Sequence, residues 1–239
     1  MTSNFQLFGP AHLFILAAVV ALAALLAFTH RRRPPQSKAV RLTLAVALFA
    51  DTAVYYAYLI AHGQLTFPDH LPLELCDASL VLVIVSLFTL NKLVFDLAYY
   101  CALAGATMAL LTPNVVEHFP SFGSVQFFVA HGLTVAGVLY LVWSGEARPR
   151  HWSVARAMLW VNLFAACVGS FDYFFKTNYM YLRAKPQNVS LLSYLGPWPW
   201  YLVATEFVAL ALFTLLYLPF RKSTLKSIEP RTAHSPSAR

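Results

Sequence analysis

The sequence predicts an all-α protein, a polytopic membrane bundle of seven transmembrane helices with its N-terminus outside and its C-terminus inside. Of its 239 residues, 59% are hydrophobic and only 11% are charged, whereas soluble domains contain about 25% charged residues. Apolar segments of about 18–22 residues recur along the chain, and each is long enough to cross about 30 Å of hydrocarbon as a helix. Arginine and lysine gather on one set of connections, which is typical of proteins inserted with a fixed orientation.

The apolar segments place the helices, in chain order, at about residues 11–29, 42–62, 74–91, 93–111, 124–143, 153–174 and 200–220. The third and fourth helices meet at Asn91-Lys92, which is the tightest connection. Residues 1–220 are therefore expected to form one seven-helix transmembrane domain. Residues 221–239 are expected to be a disordered basic cytoplasmic tail, because that segment is polar.

The distribution of basic residues sets the predicted orientation. Fourteen of the 17 lysines and arginines fall on one side of the seven-helix topology and three on the other, and the richer side is expected to be the inner one. The first segment has no positive charge before it and "HRRR" after it, so it is expected to remain as a helix rather than act as a signal peptide. Because the basic residues are split among short connections, the pI of about 9.4 does not indicate nucleic-acid binding.

Polar residues that are costly inside a membrane are predicted to meet near its outer face. In this orientation the odd-numbered helices run inwards, so five residues near their starts share one level: His12, Glu74, Cys76, Asp77 and, about two turns in, His131. Glu206 lies nearly two turns into helix 7, and Asp172 and Asn178 mark the outer end of helix 6. Such side chains normally face a bundle interior or a cavity. We therefore predict that His12, Cys76, His131 and Glu206 line one cavity in the outer half of the bundle.

Each of these residues also has a purely structural interpretation. Cys76 could be a small packing residue, as is expected for Cys101 and Cys167. His131 could bridge helices, and His12 could lie among the headgroups. Glu74 and Asp77 could complement the positive end of a helix dipole. Two further acids are expected to be structural or buried: Asp96, which could cap its helix or pair with Lys92, and Asp51 near mid-membrane.

Taken together, however, a thiol, an imidazole and carboxylates favour acyl transfer. A thiol reacts as its thiolate, and an imidazole held by an acid is a known means of activating it. The sequence contains no metal-binding spacing, Gly-rich phosphate loop or serine elbow that would support another chemistry. No metal and no cofactor are therefore expected.

Six short motifs carry a resemblance to a known family. In order, "FGPAHL", "LPLELCD", "LLTPN", "FFVAHG", "NYMYLRAKP" and "LGPWPWYL" closely resemble the YwaF-like integral membrane proteins of bacteria over about residues 5–220. That family is related to mammalian transmembrane protein 164, described as an acyltransferase of ether phospholipids that works through an acylated cysteine. A more distant likeness is to the androgen-induced hydrolases of lipid esters. The resemblance implies a multi-pass protein of the bacterial inner (plasma) membrane that acts on a phospholipid or lysophospholipid.

The resemblance also assigns residues. It places the nucleophile at Cys76, the histidine of "FFVAHG" at His131, the early histidine at His12, and the "NY" pair at Asn178 and Tyr179. The sequence departs from the bacterial pattern "LPLHLC" at one position, where Glu74 stands in place of a histidine. If that histidine were the base, His131 would have to serve instead, with Glu206 or Glu74 orienting it.

Two classes of function remain open at this point. The first is a lipid acyltransferase or lipid ester hydrolase with an acyl-cysteine intermediate at the outer leaflet. The second is a non-catalytic small-solute transporter or lipid-binding protein, in which His12, His131, Glu206 and Asp51 would form a track. The enzyme needs Cys76 and an imidazole at one pocket, whereas the carrier needs a central cavity around Asp51 and Glu206.

The basic residues make the topology directly testable. Reporter fusions after residues 35, 117, 148 and 190 should report inside, outside, inside and outside, because each side of the membrane selects its own connections. A fusion after residue 117 that reports inside would contradict the seven-helix topology.

Overall fold

A computed structural model describes residues 5–32, 36–113, 119–186 and 190–221. Within these residues it contains seven helices and no strand. The helices are α1 (Pro10–Arg32), α2 (Ser37–Ala61), α3 (Leu75–Thr89), α4 (Lys92–Leu111), α5 (Phe122–Ser144), α6 (Ser153–Phe175) and α7 (Trp200–Tyr217). Residues 222–239, which are almost all of the predicted tail, and Asn114 of "LLTPN" lie outside the described residues.

The seven predicted helices are confirmed, and their ends agree closely with the hydropathy boundaries. The largest shift is at the start of α2, which begins at Ser37 rather than near residue 42. The tight connection between α3 and α4 lies at Leu90-Asn91, one residue before the predicted join at Asn91-Lys92. Leu90 adopts a left-handed conformation with φ 52°, and the side chain of Asn91 accepts the N–H groups of Leu93 and Val94 to cap α4.

Six of the helices in the described part of the chain are long and apolar enough to cross a membrane. The exception is α3, which has only 15 residues and is therefore about 22 Å long. A hydrocarbon core is about 30 Å thick. Helix α3 is thus shorter than the sequence predicts, and the chain before it must supply the contacts that a longer helix would make.

The centre of the bundle is formed by α4 and α5. Over an 18-residue apolar stretch of each helix, the buried share is 56% in α4 and 61% in α5. In α1, α2, α6 and α7 it is 11–22%. Helix α5 packs on α1, α2, α3 and α4, and α4 also packs on α6. The contact with α1 requires glycine at Gly132, because a Cβ atom there would stand 2.9 Å from Val19 Cγ2.

Helix α4 contains a π-helical segment, Cys101–Ala106. This segment separates the α-helical turns Lys92–Tyr100 and Thr107–Leu111. Such insertions occur frequently at functional sites, because the wider turn redirects the side chains that follow it. Here the last residue of the segment, Ala106, lies in the wall of a cavity beside Cys76.

At the end of the bundle with the basic connections, Asp96 is fully buried and binds two arginines. Arg150 Nη2 and Arg156 Nη2 each lie 2.8 Å from Asp96 Oδ2, and the Arg150 backbone N–H donates to Asp96 Oδ1 at 3.1 Å. The suggested pairing of Asp96 with Lys92 is therefore wrong. Arg150 of the α5–α6 connection and Arg156 in the first turn of α6 satisfy both carboxylate oxygens of Asp96, and this joins α4 to the start of α6.

Candidate active site

Cys76 lies in the first turn of α3, directly after a helix start built by the two neighbouring acids. Glu74 is extended, with φ −72° and ψ 153°, and α3 begins at Leu75. The Glu74 N–H donates to Asp77 Oδ2 at 3.1 Å, and the Met180 N–H donates to Glu74 Oε2 at 2.9 Å. Carboxylates suit this position because N–H groups without helical partners point out of a helix start.

The connection that follows α6 folds back over this helix start. Asp172 Oδ1 accepts the Thr177 hydroxyl at 2.6 Å and the Tyr179 N–H at 3.1 Å. The Tyr179 hydroxyl donates to the Pro68 carbonyl at 2.7 Å and accepts the Leu71 N–H at 2.9 Å. We call the Tyr179 hydroxyl bonds and the Met180–Glu74 bond the loop latch. The latch joins the α6–α7 connection to the α2–α3 connection.

The connection that carries the loop latch has a strained backbone. Lys176, Met180 and Tyr181 have φ values of 62°, 53° and 55°, in a region that residues with a side chain rarely adopt. The Tyr201 hydroxyl of α7 donates to the Tyr181 carbonyl. This bond and the latch hold a conformation that the local sequence alone would not favour.

Asn178 organises the same connection and is absent from the described linings of the cavities at Cys76. Its Oδ1 accepts the N–H groups of Arg183 and Ala184, and its Nδ2 donates to the Ala184 carbonyl. Asn178 and Tyr179 therefore both lie in the connection beside the start of α3, and the hydrogen bonds of both side chains are with backbone atoms.

His131 presents a basic nitrogen to the interior of the bundle. Its Nδ1 lies 2.7 Å from the Phe127 carbonyl oxygen. Because a carbonyl only accepts, Nδ1 carries the proton, and in a neutral ring Nε2 then carries a lone pair. The Phe127 ring stacks on the imidazole with centroids 4.2 Å apart. The suggestion that Glu206 or Glu74 orients this imidazole is wrong, because a backbone carbonyl one turn earlier does so.

Cys76 and His131 together border two cavities. The smaller cavity, of about 170 Å³, lies among α2, α3, α4 and α5 and also includes Asp77. The larger, of about 490 Å³, lies among α3, α4, α5, α7 and the connection before α7, and it includes Glu74. Cys76 and His131 are the two residues common to both linings. The arrangement thus brings a thiol and an imidazole to the junction of two chambers.

His12 does not belong to this site, contrary to the predicted shared cavity. It is fully buried, its Nδ1 accepts the Phe8 N–H at 2.9 Å, and its Nε2 lies 2.7 Å from the Leu110 carbonyl, to which it donates. Aromatic rings of Phe5, Phe8 and Phe128 surround it. Both ring nitrogens are used, so His12 fastens the start of α1 to the end of α4.

Glu206 and Asp51 are also absent from the linings of the two cavities. Glu206 Oε2 accepts from Asn162 Nδ2 of α6 at 2.9 Å, and Asp51 Oδ2 accepts from Gln126 Nε2 of α5 at 2.9 Å. Neither carboxylate borders the chambers at Cys76. The prediction that Glu206 shares a cavity with Cys76 is therefore wrong. Among the described residues, Asp51, Glu206 and His12 do not form a continuous track with His131.

The polar wall of the smaller cavity was missed by the sequence reasoning. It comprises Thr52, Tyr55 and Tyr56 on α2 and Gln126 and Thr134 on α5. These residues recur at spacings of three, four and eight, which place side chains on one face of a helix. Polar residues at helical spacing on α2, and on the helix that carries His131, are the signal that could have revealed this polar wall.

The protonation of Glu74 responds to this environment. This residue precedes α3 and is largely enclosed by the connections. Burial raises its pKa from 4.5 to about 7, and the negative charges of Asp77 and Asp172 act in the same direction, while the Met180 N–H opposes them. Glu74 therefore changes charge close to neutral pH.

An all-helical bundle with six helices of membrane-spanning length among its described residues defines a polytopic membrane protein. The TMEM164 family model matches residues 7–217, and the chain belongs to this family. This confirms the relationship to the transmembrane protein 164 proteins that the motifs predicted. The chain is also 25% identical over 225 residues to an uncharacterized protein of Treponema pallidum (strain Nichols), a match that covers 93% of this chain and 92% of the relative. No solved structure matches it.

Removing the Tyr179 hydroxyl should loosen the loop latch. Tyr179→Phe leaves the Pro68 carbonyl and the Leu71 N–H without their partner, so the free energy of unfolding should fall by about 1–3 kcal/mol. Thermal unfolding in detergent measures the effect. Tyr194→Phe is the matched control, because Tyr194 is 78% exposed. Equal melting temperatures for the two variants would show that the hydroxyl does not hold the loops together.

The raised pKa of Glu74 predicts a pH-dependent stability. A carboxyl whose pKa rises from 4.5 unfolded to about 7 folded favours the folded state fully below 4.5, and this contribution is lost as pH rises to 7. Glu74→Gln should therefore melt at a higher temperature than the parent protein above pH 7, and at a similar temperature below pH 4.5. Asp69→Asn, in the exposed part of the same connection, serves as the control. A parent-minus-variant difference that does not change with pH would contradict the assignment.

Proposed function

We propose that the protein is a lipid acyltransferase that carries the acyl group on Cys76 and uses His131 as its base. The observation that supports this most strongly is that, within the described part of the chain, these two residues are the ones that border both cavities. The tautomer of His131 adds to it, because the Phe127 carbonyl occupies Nδ1 and leaves the basic Nε2 available. A thiol and an imidazole at one pocket are the minimum that acyl transfer through a thioester requires.

In the first half of the reaction, Cys76 Sγ attacks the carbonyl carbon of a phospholipid ester. The thiol proton passes to His131 Nε2 as the C–S bond forms. The tetrahedral intermediate then collapses, the ester C–O bond breaks, and the departing lipid oxygen takes the proton from the imidazolium. The products are a lysophospholipid and an acyl thioester at Cys76, and the imidazole is neutral again.

In the second half, an acceptor hydroxyl reacts with the thioester. His131 Nε2 takes the hydroxyl proton while the acceptor oxygen attacks the carbonyl carbon. The C–S bond breaks, and the imidazolium returns the proton to the sulfur. The acyl group ends on the acceptor, and the enzyme recovers its starting state without any cofactor.

The neighbouring carboxylates favour a mechanism in which the base removes the thiol proton during the attack and not before it. A free thiolate in the first turn of α3 would gain from the helix dipole but would meet the charges of Asp77 and Glu74. Proton transfer to His131 as the C–S bond forms avoids a standing negative charge on sulfur. The principal tasks of Asp77 and Glu74 in this proposal are to build the helix start and to hold the loop latch.

The carrier interpretation has less support. It needs Asp51 and Glu206 around one central cavity, but Asp51 binds Gln126 and Glu206 binds Asn162. Non-catalytic lipid binding at the larger cavity is the remaining alternative. It predicts bound lipid without a covalent adduct on Cys76.

The proposal is tested on purified protein and in cells. Mass spectrometry should detect an acyl group on Cys76, and a deletion strain should recover its lipid profile only with an active copy. Cys76→Ala should abolish both signals. His131→Ala should lower the rate by about 10²–10⁴, the usual contribution of a positioned acid–base group.

Two other cysteines provide controls. Cys101 is buried in the π-helical segment and Cys167 is exposed on α6, so Cys101→Ser and Cys167→Ser remove thiols away from both cavities. Both variants should restore the lipid profile. Restoration by Cys76→Ala to the same level would refute the nucleophile assignment.

A further inference from the structure

We infer that the two cavities divide the reaction between them: the larger holds the fatty acyl chain bound to Cys76, and the smaller admits the acceptor hydroxyl. The inference rests on the proposed function and extends it to the substrate parts that each chamber recognises. It starts from the position of Cys76 and His131 at the junction of the two linings. If the carbonyl group of the substrate lies at that junction, its alkyl chain extends into one cavity. The acceptor can then approach the carbonyl carbon from the other cavity.

The larger cavity suits an alkyl chain. Most of its lining is apolar and includes Met108, Phe127, Leu191, Leu192, Leu195 and Val208, while Glu74, Tyr181 and Ser190 add polar groups. Two hydroxyl groups in this wall are bonded within their own helices: Thr112 Oγ1 donates to the Met108 carbonyl at 2.9 Å, and Thr205 Oγ1 donates to the Tyr201 carbonyl at 2.7 Å. The volume of about 490 Å³ lies within the range of about 300–1,000 Å³ that small-molecule pockets usually have.

The smaller cavity suits a hydroxyl group. Asp77 and Gln126 each use one polar atom in a bond within the protein, at Asp77 Oδ2 and Gln126 Nε2. Among the described residues, Asp77 Oδ1, Gln126 Oε1 and His131 Nε2 have no hydrogen-bond partner, and all three residues line this cavity. These three atoms are acceptors, so they match a donor O–H group.

The volume of the smaller cavity also favours a hydroxyl group over an acyl chain. A volume of about 170 Å³ corresponds to only a few water molecules at about 30 Å³ each. It therefore accommodates the hydroxyl-bearing end of an acceptor, or water itself, but not a long acyl chain. Water and a lysophospholipid share the same chemistry here and differ in their products, a free fatty acid or a new ester.

Filling the larger cavity should shorten the acyl chain found on Cys76. Val208→Phe adds an aromatic ring to its wall, and Leu195→Phe does so from the connection before α7. In intact-protein and peptide mass spectra, the adduct should shift by at least one two-carbon step towards shorter chains in both variants. Val203→Phe is the matched control, because Val203 is 47% exposed on the same helix, and its adduct should equal that of the parent protein.

Filling the smaller cavity should instead slow the release of the acyl group. Thr52→Leu reduces the space for the acceptor, so the acylated fraction of Cys76 should rise several-fold with the chain-length distribution unchanged. Ala53→Leu, on the exposed face of α2, is the control. Product analysis with isotope-labelled lipid shows whether the acyl group leaves as free fatty acid or as a new ester. Melting temperatures confirm that each variant is folded.

The outcomes separate this inference from the proposed function. If the parent protein carries an acyl group but all variants show the same chain lengths and occupancy, the division between the cavities is wrong and the proposed function stands. A change of chain length in Thr52→Leu but not in Val208→Phe or Leu195→Phe would reverse the assignment of the cavities and overturn the inference. Absence of an acyl group on Cys76 in the parent protein would overturn both.

Discussion

The hydrogen bonds of the loop latch are the interaction on which the candidate site depends. Helix α3 is too short to cross a membrane by itself, so its start needs partners from elsewhere in the chain. The α6–α7 connection supplies them through the Met180 N–H on Glu74 and the Tyr179 hydroxyl on the chain near Pro68. Irregular backbone at membrane depth is tolerated only where the protein satisfies its polar groups. The latch does so beside Cys76.

The latch also explains why two acids flank a cysteine at the start of an apolar helix. Asp77 accepts the Glu74 N–H and Glu74 accepts the Met180 N–H, so each carboxylate has a donor from the backbone. The imidazole has its own backbone partner in the Phe127 carbonyl. The groups around the thiol are therefore held by main-chain atoms, whose positions depend on the fold and not on the rotamer of a further side chain.

Hydropathy predicted the helices because a membrane imposes a minimum length and apolarity on a spanning helix, which six of the described helices meet, and because α3 is apolar although it is shorter. The depth of the polar residues was also predictable, which brought Cys76 and His131 to one level. The direction in which each side chain points around its helix axis was not predictable. Successive residues turn by about 100°, so Thr205 and Val208 line the larger cavity while Glu206 faces Asn162. His12, which was predicted to share the cavity, turns towards the Leu110 carbonyl. The pairing of Asp96 with Arg150 and Arg156 required knowledge of how the α5–α6 connection and the start of α6 fold against α4.

The sequence separation within the latch has a consequence for biosynthesis. Glu74 and Met180 are 106 positions apart, so at about 5–20 residues per second roughly 5–20 s pass between their translation. In the second half of that interval, once residue 131 has been translated, the nascent chain contains both Cys76 and His131 but lacks the segment that closes the start of α3. A ribosome that stalls before the end of α6 therefore leaves a thiol and an imidazole in the membrane without the enclosure that shapes their chambers. Completion of the last third of the chain thus acts as a timing step that separates insertion of the reactive residues from assembly of the site.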